Sequence, residues 1–460
     1  MNQKKKIFVL IQSGYSAKNF ILSGFLENAD FDFTIWYDQD YISAYNIQAS
    51  KLKLPNYEYN GKIDFIKKLK NTTELYFFKK LFKNNNYLAY LNISLDKPNI
   101  KIKFLNKLTR FLAIFFANKK GIQILDKPFY YFIRKTAYYK SCKIILQSAK
   151  PDVVFCTHQR ASNAVAPMLA ASDLGIKTAC FIHSWDNIPK GVLLVKANCY
   201  LVWSDYMKQE MLLHYSFLIP SSIKITGTPQ FVNYFEPRFR LNRDEFCKLI
   251  GVNPNKKYLL FTGNDKTTSP NDPTYLSHLC EAVIKLNNSL DNYEVLFRPN
   301  PIDINESFNS ILKKYSNIVT IVKPDWIGEN LKWNVGGPNE KDIILLINTI
   351  LHSEVVINMG STMAVDAAFL NKPTCYIKYD VTNNYHWNID KIFKFIHFKM
   401  IEDIEPVFWI NSKDCFLPII KMALQNPNKF IDGRTKWISK VTTLPIEKTN
   451  QRLWNVLKSL

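Results

Sequence analysis

The chain has 460 residues, 47% of them hydrophobic and 22% charged, a globular balance with length for roughly two to four domains. Lys and Arg outnumber Asp and Glu by 60 to 39, so a net charge of +21 points to an anionic partner: nucleic acid, a nucleotide or a membrane surface. The longest apolar run, residues 111–117, falls far short of the ~20 residues that span a bilayer, and the eight cysteines show no metal or redox spacing, which reads as reduced structural thiols in a cytoplasmic protein.

Lys4-Lys-Lys6 runs directly into a strand-like stretch at residues 7–11 with no small-residue cleavage site, so no secretory leader is expected. Gln12-Ser-Gly-Tyr-Ser16 follows, then an expected helix over 17–27 and a strand over 31–37. A glycine turn after the first strand is how a Rossmann-like domain opens. Only Gly14 is present there, so the three-glycine dinucleotide fingerprint is missing and NAD or FAD is poorly supported.

Residues 50–145 are rich in Lys, Asn, Phe and Tyr and read as a mostly helical insertion. Residues 104–120 and 129–140 mix bulky apolar side chains with cations. That pattern fits a surface lying on an anionic membrane. It equally fits buried helices with solvated lysines.

Strand and helix then alternate regularly. Strands are expected at 152–156, 177–182, 199–203 and 223–225, with helices at 162–174 and 205–213, the second capped by Ser204. Polar loops follow the strands: Thr157-His-Gln-Arg160, residues 183–191 and Thr226-Gly-Thr-Pro-Gln230. Residues 238–255 read as an inter-domain linker. The pattern restarts with strands at 258–262, 294–297 and 318–322, and helices at 273–287 and 342–351. Such alternation implies parallel sheets covered on both faces.

The stretch from Asn358 to Ile377 is the most informative. A buried strand over 354–358 meets a sharp turn at Gly360, and Ser361 is placed to cap a helix over 362–370, which Asn371-Lys-Pro373 stops. A helix N-terminus favours an anion, and Thr362 and Asp366 lie one turn apart. An anion at Ser361 and Thr362 would place a sugar beside Asp366, the layout of a nucleotide. The plain alternative is that Ser361 only caps and Asp366 only faces water.

These residues resemble a known family, the GT-B fold glycosyltransferases of bacterial surface-polysaccharide (capsule and O-antigen type) biosynthesis. The likeness covers most of 150–380. It rests on His183-Ser-Trp-Asp-Asn187 with Lys190-Gly191, on Ile225-Thr-Gly-Thr-Pro-Gln230, and on Gly360-Ser-Thr-Met-Ala-Val-Asp366 with Asn371-Lys-Pro373. The last segment is shared with glycerophosphotransferases and nucleotide-sugar 2-epimerases. Arg298-Pro-Asn-Pro301 departs from relatives that carry histidine before the second proline, and Asp366 stands where many use glutamate.

The resemblance implies an α/β fold of two Rossmann-like, doubly wound domains facing across a cleft. Expected are an N-terminal acceptor domain over 1–237 with the insertion at 50–145, the linker at 238–255, and a C-terminal donor domain over 256–430. A helical segment at 431–460 is expected to cross back to the first domain. Donor-site candidates are Gly360, Ser361, Thr362, Asp366, Arg298, Asn300, Gly263 and Lys266. Acceptor-side candidates are Gly14, Tyr15, His158, Arg160, Trp185 and Asn187. No metal and no cofactor are expected, since the nucleotide-sugar, UDP- or CMP-linked by slight preference, is a substrate.

An inverting transfer needs a base for the acceptor hydroxyl and groups that stabilise the departing phosphate. Asp186 fits the base best, with Trp185 beside it to stack on a sugar and desolvate the carboxylate; loop bracing fits Asp186 as well. His183, His158 and an acid among the first 50 residues are the alternatives. The expected function is a glycosyltransferase acting on a surface glycan or lipid-linked acceptor, cytoplasmic or peripheral on the inner membrane face. A nucleotide-sugar 2-epimerase and a glycerophosphotransferase-like polymer enzyme are the other enzyme readings. A non-catalytic nucleic-acid or membrane binder is the third, but the cations are spread rather than striped, and no nucleic-acid partner is expected.

Overall fold

The computed structural model describes residues 4–57, 60–91, 100–288, 292–301, 306–328, 336–381 and 387–460. The chain divides into two units, the first built chiefly from Met1–Gln230 and Lys440–Leu460, the second chiefly from Phe231–Trp333 and Pro338–Ser439.

The first unit holds a seven-stranded sheet: β1 (Lys5–Ile11), β2 (Phe31–Tyr37), β3 (Ser50–Lys53), β4 (Val153–Cys156), β5 (Lys177–Phe181), β6 (Cys199–Val202) and β7 (Ile223–Ile225). Their order is β3-β2-β1-β4-β5-β6-β7, and every pair is parallel. β4 and β6 are buried along their whole length, as sheets covered on both faces require. Phe20, from the helix Gly14–Phe20, packs edge-on against Phe25, Phe155 and Phe181. Each such ring removed from water contributes about 1.5–3 kcal/mol.

The helix expected over 17–27 is shorter and shifted. Ser13 caps it by accepting from the Ser16 N–H at 3.2 Å, and it ends at Phe20. Gly24 at φ +75 and a 3-10 turn over Phe25–Glu27 complete the span. The expected insertion also begins too early, because Ser50–Lys53 is an edge strand pairing with β2.

The second unit repeats the plan with β8 (Lys257–Thr262), β9 (Tyr293–Arg298), β10 (Val319–Ile321), β11 (Val355–Asn358), β12 (Thr374–Ile377) and β13 (Phe408–Ile410). The order is β10-β9-β8-β11-β12-β13, again all parallel. Residues 238–255, expected as a linker, lie within this unit and form the helix Arg243–Ile250. An Asn242 and Glu245 capping box opens that helix.

From Lys440 onward the chain belongs to the first unit again. Ser204 Oγ donates to the Lys440 carbonyl at 2.6 Å. On the last helix, Thr449–Ser459, Asn450 Nδ2 and Trp454 Nε1 donate to the Ser23 and Phe25 carbonyls. All eight cysteines are free thiols, seven of them buried.

Candidate functional site

Doubly wound sheets bind ligands outside the carboxyl ends of their strands, where the strand order reverses. In the second unit that point lies between β8 and β11. The loop after β8 carries Gly263, Asn264 and Lys266, and the loop after β11 carries Gly360, Ser361 and Thr362. Asn264 Nδ2 donates to the Met359 carbonyl at 3.1 Å and ties the two loops together. Gly360 takes φ +62, which glycine adopts without strain. A side chain there would stand 3.1 Å from the Phe398 ring.

Arg298 ends the neighbouring strand β9 and is buried at 7% exposure. Its Nη2 donates to Asp342 Oδ1 at 2.7 Å, while its Nη1, also buried, has no acceptor among the described residues. Asp342 also accepts from the Asp325 N–H at 3.0 Å and Trp326 Nε1 at 3.2 Å. The Asn358 side chain is fully buried; its Oδ1 accepts from the Ser361 N–H at 2.9 Å, and its Nδ2 has no acceptor among the described residues. Buried donors of this kind cost free energy until an acceptor meets them. Asn300 and Gly263 adjoin here: a Cβ on Gly263 would lie 3.6 Å from the Asn300 nitrogen. Lys266 is exposed on the same loop.

Two donor-site expectations change. Thr362, not Ser361, is the N-cap residue and makes no side-chain capping bond, while Ser361 Oγ accepts from the Met363 N–H at 3.4 Å, and the helix Met363–Phe369 is only two turns long. Its dipole is a minor contributor, so side-chain donors carry the anion argument. Asp366 does not share a solvent face with Thr362. It is 4% exposed, and its Oδ1 accepts from the Tyr234 hydroxyl at 2.7 Å. One helical turn of spacing put them in register, but Asp366 points into the core, where it holds the segment that opens this unit.

The reversal in the first sheet lies between β1 and β4. The loop after β1 brings Gly14 and Tyr15; the loop after β4 brings His158 and Arg160. The His158 and His183 rings stack at 4.0 Å with a 7° angle, and Tyr15 meets His183 edge-on at 6.5 Å. The Arg160 N–H donates to His158 Nδ1 at 3.2 Å. Gln159 stitches the loops, accepting from the His183 N–H at 2.9 Å and donating to Asn187 Oδ1 at 3.2 Å.

His183 is held at about 4, first by burial of its ring, against the opposing pull of Asp186 and a hydrogen bond to the Thr157 backbone. Burial and its neighbours His183 and Arg160 also hold His158 well below the usual histidine range. Both imidazoles are neutral near pH 7. A neutral imidazole keeps one ring nitrogen with a lone pair that can accept a proton.

Asp186 is 8% exposed, ion-paired with Lys190, and accepts from Asn187 Nδ2 at 3.0 Å. The carboxylate is thus braced in its own loop. Trp185 is 5% exposed, which removes its ring from the stacking role expected of it. Alternation along a loop gives no signal of which side chain turns inward.

Sequence reasoning missed Glu74, in the helix Gly61–Phe82. It is 1% exposed and accepts from the Tyr215 hydroxyl at 2.9 Å and the Leu193 N–H at 3.3 Å. Burial pushes its carboxyl up to about 7, against Lys70 and these hydrogen bonds. It also missed Asp272, which is 1% exposed and accepts from the Asn264 N–H at 2.6 Å and from the Ser269 hydroxyl, so that the loop after β8 folds over it. The only local hint for either was a lone acid on a helix.

No protein-family model matches the chain, and neither does any curated protein sequence. Solved structures do resemble it. A UDP-GlcNAc 2-epimerase from Methanocaldococcus jannaschii is 12% identical, with a TM-score of 0.54 and 100% of each chain covered. The UDP co-structure of S. aureus MnaA is 12% identical, with a TM-score of 0.53 over 99% of this chain and 96% of that one. A glycosyltransferase from Rickettsia africae is 13% identical, with a TM-score of 0.53 over 99% and 98%. At these identities the likeness is one of fold: the chain has the GT-B architecture of two Rossmann-like, doubly wound domains.

Proposed function

We propose that the chain is a glycosyltransferase that moves a sugar from a nucleotide-activated donor to a surface glycan or lipid-linked acceptor, with inversion and without a metal. The reading rests on the carboxyl edge of the second sheet. There a buried arginine and a buried asparagine hold N–H donors without an acceptor among the described residues, beside two polar loops. A diphosphate or monophosphate supplies the missing acceptors. Arg298 and Asn358 bind it, with Ser361, Thr362, Gly263, Asn300 and Lys266 around it. UDP in the S. aureus structure supports a uridine donor over a cytidine one.

In this reading the acceptor hydroxyl attacks the anomeric carbon as the carbon–oxygen bond to phosphate breaks. The hydroxyl proton passes to the unprotonated ring nitrogen of His183, and the nucleotide phosphate leaves with the bond's electron pair. Asp186, ion-paired with Lys190, stabilises the imidazolium that forms. This moves the base from Asp186, first expected there, to the alternative His183, because the aspartate is already ion-paired.

The likeness to the Methanocaldococcus jannaschii UDP-GlcNAc 2-epimerase supports the competing reading, in which the same nucleotide site serves 2-epimerisation. Incubation with UDP-GlcNAc, with and without a glycan acceptor extract, separates them. Nucleotide release that depends on acceptor supports transfer. A 2-epimer formed without any acceptor overturns it.

A further inference from the structure

The helix Ile100–Phe116 carries apolar residues on two sides. Its inner side packs Ala113, Leu112 and Phe116 against Leu69, Leu125 and Phe65. Its outer side exposes Phe104 at 65%, Phe111 at 58%, Ile114 at 60% and Phe115 at 65%. Positions 104, 111, 114 and 115 share one helix face, with Lys107 on the same face between them. A helix on a water-facing surface turns charge outward, and this one turns out large apolar residues. Lys103, Lys107, Lys119 and Lys120 are exposed around them. From Ile100 to Leu125 the sequence has six Lys or Arg and no Asp or Glu.

We propose that this helix lies flat in the interface of an anionic phospholipid bilayer. Phe104, Phe111, Ile114 and Phe115 sit among the acyl chains, and the lysines reach the headgroup phosphates. Charge selects the occupant. A second copy of the chain would bring the same lysines face to face, whereas an anionic surface meets both the apolar stripe and its cationic border. No described helix is long and apolar enough to cross a membrane. The same reasoning assigns the second aromatic stretch to the core. Phe129, Tyr130 and Ile133 are buried, while Tyr131 between them is exposed.

Sedimentation of the full chain with vesicles tests this independently of any activity. Binding is expected to vesicles containing phosphatidylglycerol, weakly to pure phosphatidylcholine, and to fall as salt rises. Phe111→Ser with Phe115→Ser should weaken it by about tenfold or more while the melting temperature holds. In a Phe111→Trp variant, the emission should shift to the blue on adding anionic vesicles. Failure to sediment with anionic vesicles overturns the proposal, as does unchanged binding in the double variant or an unshifted emission. So does a lipid-free dimer that the double substitution splits, which would assign the stripe to a second copy.

Discussion

Arg298 offers a test in which folding and binding separate. The Arg298–Asp342 pair is buried at 7% and 3% exposure, with one 2.7 Å bond between them. Arg298→Met removes the cation and strands the carboxylate, which among the described residues retains the Asp325 N–H and Trp326 Nε1 as donors. Breaking one side of a buried pair costs about 3–5 kcal/mol, and the two remaining donors put this case near about 3 kcal/mol. Adding Asp342→Asn removes the stranded charge and should recover stability to within about 1 kcal/mol of the parent. Binding should not recover. Loss of a charge-assisted hydrogen bond from Nη1 to phosphate costs about 1.5–3 kcal/mol, or about tenfold to hundredfold in Kd. Thermal unfolding gives the first quantity, and calorimetric titration with UDP, CMP and GDP gives the second. A double variant that folds like the parent and binds each nucleotide with the parent's Kd would refute the placement of phosphate at Arg298.

Further outcomes follow from the first unit. His183→Gln should lower kcat by about 10²–10⁴-fold with nucleotide affinity and melting temperature unchanged; retained turnover would remove it as the base. Asp186→Asn should lower the rate less and also lower the melting temperature, since it leaves Lys190 without its buried partner. Glu74 has a folded value raised from 4.5 to about 7, so the folded chain holds a proton that the unfolded chain has lost between those limits. Its contribution to stability is therefore full below about pH 4.5 and lost as pH rises through about 7. Glu74→Gln mimics the protonated form and should flatten that slope, gaining up to about 3 kcal/mol over the parent at pH 8. A parent-like slope in the variant would show that Glu74 does not titrate in this window.

The alternation of β-branched runs with amphipathic helices was enough to define two parallel, doubly wound units, because each strand and helix is decided by its own residues and caps. Ser204 capping Asp205–His214 and the strand Thr374–Ile377 are cases where local chemistry was sufficient. Polar loops at strand ends were legible for the same reason, so the turns at Gly14, His158, Gly263 and Gly360 could be read as candidate site loops. What each side chain does there was not legible. Arg298 meets Asp342 across 44 residues, and Glu74 meets Tyr215 across 141. Asp366 is drawn inward by Tyr234, which no helical spacing encodes. The two aromatic, lysine-rich stretches show the division most directly. Composition cannot tell residues 104–115 from residues 129–133, yet one stripe faces outward and the other is core. Burial depends on which surface another element covers, and that is decided only when the distant parts of the chain pack together.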